Sequence, residues 1–125
     1  MVEVIKASEG ETSESTPSDI FQDGQVWARR LAGGDTGRGQ HMSFGIVQFG
    51  AGARTKTHTH TSDQLLYVVA GIGKVGDANG EHVISAGDFV HVPAGQEHWH
   101  GAADTGSPMS HITVTAIDSA TSVIE

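Results

Sequence analysis

Residues 52–64 read Gly-Ala-Arg-Thr-Lys-Thr-His-Thr-His-Thr-Ser-Asp-Gln, with two histidines separated by one residue. Residues two apart on a β-strand point to the same face of the sheet. His58 and His60 can therefore hold one ion between them, because imidazole is the commonest metal ligand in proteins. Two imidazoles do not complete a metal site, so further ligands must come from elsewhere in the chain.

A second tract with the same spacing lies downstream. Residues 96–100 read Gln-Glu-His-Trp-His, which offers His98 and His100. If both tracts are strands facing the interior of one barrel, three or four imidazoles converge there. Trp99, between them, is then expected to face the opposite way and pack outside the barrel or in a subunit contact.

The rest of the chain predicts an all-β fold. Glycine, Asp-Gly and Asn-Gly turn signals recur every few residues, and β-branched and aromatic runs of strand length lie between them. Asn79-Gly80 is the strongest hairpin signal. Eight or nine short strands at this spacing indicate a sandwich or a barrel. The predicted strands are Val26–Leu31, Met42–Phe49, Thr55–His60, Leu65–Ala70, Ile72–Val75, His82–Ser85, Phe89–Val92, Glu97–His100 and Ser110–Asp118.

Length and composition limit the possible functions. The chain has 125 residues, which is the size of one domain, and 17 of them are glycines, a frequency that disfavours long helices. The formal net charge of −8 argues against binding to nucleic acid or to an anionic membrane. Cysteine is absent, which excludes disulfides and thiolate metal sites. No apolar run approaches the length of a membrane span or a signal peptide, so we expect a cytoplasmic protein.

The domain organisation follows from where apolar residues begin to recur. Residues 1–19 are predicted to form an edge strand at Val2–Lys6 followed by a flexible acidic arm with nothing to bury. Residues 20–125 are predicted to form the barrel domain.

Two longer motifs resemble those of the cupin family. Residues 52–71 are similar to the first cupin motif: they contain Gly52, the His58-x-His60 pair, three intervening residues, Gln64 where the motif has an acid, and the closing Gly71. The segment 87–98, with Gly87, Pro-x-Gly and His98, is similar to the second. The resemblance implies a single-domain cupin of the double-stranded β-helix, or jelly-roll, type. It is greatest to the small bacterial cupins that have glutamine in the first motif and include manganese-dependent hydroxynitrile lyases.

The metal ligands are implied by this resemblance. They are His58, His60 and His98, with Gln64 in place of the usual carboxylate. Asp63 is the rival fourth ligand, but on a regular strand it points to the opposite face. Ala102 stands where the second motif often has asparagine. The expected cofactor is one divalent transition metal, with manganese ahead of iron, zinc, nickel and cobalt.

The glutamine has a chemical consequence. Three neutral imidazoles and a neutral amide leave the double charge of a divalent ion uncancelled, which favours polarisation of a substrate oxygen over redox chemistry. The sequence therefore favours a lyase or isomerase. A metal-dependent dioxygenase is the first rival function, a non-catalytic module that binds a sugar or small acid is the second, and a purely structural barrel is the third.

Strand parity also suggests roles for the remaining polar residues. His100 and His111 are the candidates for proton transfer, against the alternative of hydrogen-bonded barrel histidines. The candidate substrate-pocket residues are Gly45 and Val47, on a strand that the cupin resemblance implies lines the pocket, and Thr113, on the polar face of the last strand, against ordinary core packing. His41, His82 and His91, together with Arg54 and Lys56, are expected to be strand or surface residues.

The expected partners are a small-molecule substrate and a second copy of the chain. Cupin barrels commonly pair through their sheets and N-terminal strands, so the resemblance implies a homodimer. A second copy would shield the unpaired backbone groups of the predicted edge strand.

Overall fold

The protein is all-β, as predicted. A computed structural model describes residues 1–15 and 19–124, and within these ranges it contains no α-helix, only a 3-10 turn at Gly34–Thr36. The strands are β1 Ser13–Glu14, β2 Phe21–Asp23, β3 Val26–Ala32, β4 Met42–Phe49, β5 Arg54–Thr55, β6 His58–His60, β7 Gln64–Asp77, β8 Gly80–Ser85, β9 Phe89–Val92, β10 Trp99–Gly101, β11 Met109–Ala116 and β12 Thr121–Val123.

Strand β7 joins two sheets because it is long and bends in the middle. Its first half pairs with β9 and β11, in a sheet that continues through β4 and β3 to β1. Its second half pairs with β8 and β10, in a sheet that continues through β5 to β2. A separate pair, β6 with β12, lies across the end of the fold. The inner faces of these sheets enclose the core.

The bend of β7 lies at Gly71. This residue has a φ of +80°, and a Cβ at this position would overlap the carbonyl of Pro108. The pairing of β7 with β11 shifts register at Ser110/His111, beside this bend. Glycine is required here because the backbone is left-handed and a neighbouring chain segment lies against it.

Apolar residues fill one part of the interior and polar residues the other. The buried core is made of Val26, Phe49, Ala53, Val68, Val75, Ile84, Ala102 and Met109. A second buried group is polar and is made of Thr55, His58, His60, Gln64, His98, His100 and His111. Buried histidines at this density are unusual, because polar groups are costly to bury without partners.

Most predicted strands are present. The Asn79-Gly80 hairpin forms between β7 and β8, with Asp77 opposite Gly80. The two runs predicted as Leu65–Ala70 and Ile72–Val75 form the single strand β7, and the predicted Thr55–His60 is divided into β5 and β6. Sequence reasoning missed β1, β2 and β12, which are short and largely exposed.

The prediction of an edge strand at Val2–Lys6 is wrong. These residues form no strand, and the arm contains β1 at Ser13–Glu14 instead. A side chain rather than a strand ladder holds this part of the arm, because the Arg29 guanidinium donates to the carbonyls of Lys6 and Glu9.

None of the helices in the described part of the chain is long and apolar enough to cross a membrane.

Candidate metal centre

Three histidines converge at one end of the barrel. His58 and His98 lie directly opposite each other in a backbone bridge, with hydrogen bonds of 2.9 and 3.1 Å between their main-chain groups. Residues paired in this way have side chains on the same face. His60 follows on the same face of β6, and one ligand nitrogen from each of the three rings lies within 4.8 Å of the others.

Hydrogen bonds at the Nδ1 atoms orient these rings. His58 Nδ1 lies 2.8 Å from the carbonyl of Lys56, and His98 Nδ1 lies 2.9 Å from the carbonyl of Gln96. A carbonyl only accepts, so Nδ1 of each neutral ring carries the proton and Nε2 carries a lone pair. His60 Nδ1 lies 2.8 Å from the hydroxyl of Thr121 on β12. Metal-binding histidines are commonly held by such outer partners.

The Nε2 atoms form a donor set that fits a cation. Those of His58 and His60 are buried with no hydrogen-bond partner among the described residues. His98 Nε2 lies 2.9 Å from Gln64 Oε1, while the amide nitrogen of Gln64 donates to Thr113 Oγ1 at 2.9 Å. Two facing acceptors repel unless a proton or a cation lies between them. Burial lowers the pKa of His98, so this ring is neutral and its Nε2 lone pair is available to a cation.

The residues that would hold a divalent ion are therefore His58, His60, His98 and Gln64. Burial lowers the pKa of His58 to about 4 and lowers the pKa of His60, so these imidazoles are neutral at pH 7. When bound there, a divalent ion supplies Lewis-acid polarisation of a substrate oxygen.

Asp63 points away from this cluster. Its carboxylate accepts from the backbone N–H of Ala94 at 2.9 Å and lies 3.4 Å from His91 Nε2 on the surface. The hydrogen bond from Ala94, followed by the contact with His91, holds the pKa of Asp63 below its usual value. Gln64, in contrast, is 4% exposed. Strand parity places the amide, rather than the acid, beside the histidines.

His100 and His111 form a buried pair below the cluster. His111 Nε2 lies 3.0 Å from His100 Nδ1, and both rings contact Phe49. The His100 ring stacks on that of His98 at a centroid distance of 5.6 Å. The outer nitrogens of the pair, His100 Nε2 and His111 Nδ1, have no partner among the described residues. Since the two inner nitrogens share one proton, one outer nitrogen is protonated and the other carries a lone pair.

A cavity of about 350 Å³ opens beside the cluster. It reaches His60 and Gln64, and the predicted pocket residues Gly45, Val47 and Thr113 all line it. His100 and His111 are not among the described residues that line the cavity. Four further residues that line the cavity were not among the predicted pocket residues: Arg30, Ser43, Thr115 and Thr121. Of these, only Thr115 had a signal in the sequence, the alternation of polar and apolar residues along β11.

The remaining residues singled out in the sequence lie outside the centre. Trp99 faces outward, as predicted, and the Arg54 guanidinium stacks on its ring at 3.8 Å. Lys56 contributes its backbone carbonyl rather than its ammonium group. The side chains of His41, His82 and His91 are exposed.

Comparison with known proteins agrees with this architecture. Residues 45–115, more than half of the chain, match the family described as the cupin domain. The chain belongs to the cupin family. This cupin also superimposes on a cupin-like protein from Thermotoga maritima, with a TM-score of 0.81 and 28% identity over 96% of this chain and 89% of that one.

Two curated relatives of this cupin are lyases. It is 44% identical to an (R)-mandelonitrile lyase from Granulicella tundricola over 69 residues, which are 54% of this chain and 52% of that protein. It is 31% identical to a dimethylsulfoniopropionate lyase from Ruegeria pomeroyi over 83 residues, which are 66% of this chain and 55% of that protein. The chain thus spans about half the length of the curated relatives that it matches.

Proposed function

We propose that this cupin is a metal-dependent lyase that acts on a small oxygen-bearing substrate, by a reaction of the hydroxynitrile-lyase type. The observation that carries the proposal is the convergence of three neutral imidazoles and one amide oxygen beside a cavity. Two relatives that are lyases support the reaction class. Manganese is the proposed metal, and a cytoplasmic location stays a prediction.

The reaction to be tested is the cleavage of (R)-mandelonitrile into benzaldehyde and hydrogen cyanide. The hydroxyl oxygen loses its proton to a base and becomes the carbonyl oxygen of benzaldehyde, while the bond to the nitrile carbon breaks. Cyanide leaves with that electron pair and takes the proton from the base to form hydrogen cyanide. We propose His100 Nε2 as the base that receives the hydroxyl proton; because His100 does not line the cavity, the transfer requires an intervening group between the substrate and His100. In one tautomer of the pair, His100 Nδ1 donates to His111 Nε2, and His100 Nε2 then carries the lone pair that accepts a proton.

The residues of the cavity orient the substrate. Thr113 holds the Gln64 amide, the polar groups of Ser43 and Thr115 lie along the same wall, and Thr121 lines the cavity from β12. Gly45 has no side chain, which leaves room on this wall. The cavity volume is at the lower end of the range for ligand pockets and fits a small substrate.

Metal content and turnover together test this proposal. We expect a near-stoichiometric divalent metal in protein purified without chelator or nickel resin, and release of benzaldehyde from (R)-mandelonitrile. His60→Ala should lose both while its circular dichroism spectrum is unchanged, and the exposed His82→Ala is the matched control. His100→Gln should keep the metal and lose turnover by about 10²–10⁴.

Three results would contradict the proposal. Oxygen consumption with a candidate substrate would identify a dioxygenase. A parent protein without turnover, whose ligand affinity is unchanged by His100→Gln and by His111→Gln, would be identified as a binding module. A His60→Ala variant that is unfolded would identify a structural site.

We also propose that the protein is a homodimer. The outer face of strands β3, β4, β11, β7 and β9 carries two rows of aligned apolar residues. They are Phe44, Ile46, Leu65, Tyr67, Phe89, Ile112 and Val114. Tyr67 is 46% exposed and Phe89 61%. A two-fold axis along β11, the middle strand, would place β3 over β9 of the second copy.

A further inference from the structure

The cavity wall formed by β3, β4 and β11 contains an arginine, Arg30, whose side chain is exposed. Arg30 on β3 pairs with Gly45 on β4, and Gly45 pairs with Thr113 on β11. Residues aligned in this way point to one face of the sheet, and Thr113 holds the Gln64 amide on that face. The strand spacing separates the Arg30 and Thr113 backbones by about 10 Å. Because Gly45 lacks a side chain, nothing from β4 fills the space between them.

The guanidinium of Arg30 is not neutralised. It donates to Ser43 Oγ at 3.2 Å, and within the described residues it forms no ion pair. Arg29, its neighbour, also lines the cavity, but its guanidinium turns to the outer side and donates to the Lys6 and Glu9 carbonyls. Arg30 therefore supplies the charged donors that remain available to the cavity.

The cavity lacks negative charge even though the chain is acidic. The chain has 15 acidic residues and a net charge of −8, yet none of the described residues lining the cavity is an aspartate or a glutamate. Glu11 and Asp35 line a neighbouring depression, which shares Ser15, Ala28 and Arg30 with the cavity. With only neutral ligands, a divalent ion would keep its full double charge. Both ends of the cavity then attract anions.

We infer that the natural substrate of this cavity carries a carboxylate, and that Arg30 binds it while the reacting group lies at the metal centre. This inference rests on the proposed function for the reaction, but the binding of the carboxylate can be measured without turnover. Guanidinium and carboxylate match in geometry and form paired, charge-assisted hydrogen bonds. The cavity volume and the span of about 10 Å restrict the substrate to a small organic acid.

Binding of (R)-mandelate and of its neutral amide, measured by calorimetry on the metal-loaded protein, tests this inference. Arg30→Gln should weaken mandelate binding by about tenfold or more and leave amide binding unchanged. Arg29→Gln is the matched control, because it removes the same charge from the adjacent residue but faces outward. The circular dichroism spectra of both variants should equal that of the parent.

The metal-free His60→Ala variant separates this inference from the proposed function. If mandelate binding to that variant still depends on Arg30, the inference holds even where the lyase proposal fails. Equal mandelate affinity in the parent and in Arg30→Gln would overturn it, as would an equal loss in Arg29→Gln. Absence of mandelate binding by the parent would also overturn it. The inference would also be overturned if mandelate binding disappeared in His60→Ala and persisted in Arg30→Gln, because the carboxylate would then lie on the metal.

Discussion

At the scale of single residues, the amide of Gln64 determines the charge of the proposed metal site. Gln64→Glu adds a negative charge at the same position, so we expect divalent metal affinity to rise by about tenfold or more. Titration of the metal-free protein with Mn²⁺ measures this. Asp63→Asn is the matched control, because the Asp63 carboxylate points away from the histidines and its loss should leave the affinity unchanged. Unchanged affinity in Gln64→Glu would mean that Gln64 is not a ligand.

The buried His111 makes the stability of the metal-free protein depend on pH. Burial lowers its pKa to about 4 in the folded state, whereas the ordinary value is 6.5. Above pH 6.5 the ring is neutral in both states. As the pH falls from 6.5 toward 4, the unfolded chain takes up a proton that the folded chain does not, so stability is lost in this window.

We expect His111 alone to lower the free energy of unfolding by roughly 2 kcal/mol between about pH 7.5 and about pH 5. Urea denaturation of the metal-free protein at the two pH values measures this. His111→Gln should show a smaller decrease, and the exposed His82→Gln should keep the decrease of the parent. If His111→Gln loses as much stability as the parent over this range, the ring does not stay neutral in the fold.

At the scale of elements, strand β7 makes the site possible because it joins both sheets. Its first residue is Gln64, its inner face carries Leu66 and Val68, and its bend at Gly71 redirects the second half toward β8 and β10. The cluster therefore depends on a bend that lies several residues from the ligands.

Gly71→Ala should destabilise the protein by about 3 kcal/mol, because the left-handed backbone and the Pro108 carbonyl both oppose a Cβ. Gly87→Ala is the matched control. Gly87 also has a positive φ of +94°, but a Cβ there would meet no atom within 4 Å, so a loss of about 1 kcal/mol is expected. Chemical denaturation of both variants gives the comparison. Equal losses would show that the packing against Pro108 does not matter.

At the scale of the whole molecule, the apolar outer face predicts the oligomeric state. The double substitution of Tyr67→Lys and Phe89→Lys should convert the proposed dimer into a monomer, because charged groups would be buried in the interface. Light scattering coupled to gel filtration measures the mass. Val83→Lys on β8, outside this face and 65% exposed in the parent, should leave the dimer intact. A monomeric parent, or a double variant that stays dimeric, would contradict the proposal.

The sequence by itself determined the all-β class, the hairpin at Asn79-Gly80 and the inward face of the strand that holds His58 and His60. It favoured Gln64 over Asp63 as the fourth ligand and left Asp63 as the rival. These features follow from local rules, since turn residues restrict the backbone and side chains alternate along a strand. The two cupin motifs added His98, which is distant in sequence, but only through resemblance.

Only the tertiary structure decided which strands lie next to each other. Thr121 reaches His60 because β12 pairs with β6, and Arg30 shares a wall with Thr113 because Gly45 lies between them. His100 and His111 lie below the cavity rather than in its wall because β10 and β11 pack against Phe49. Each of these contacts joins segments that are far apart in the chain. Their register depends on the packing of the whole barrel, and no local pattern of residues encodes it.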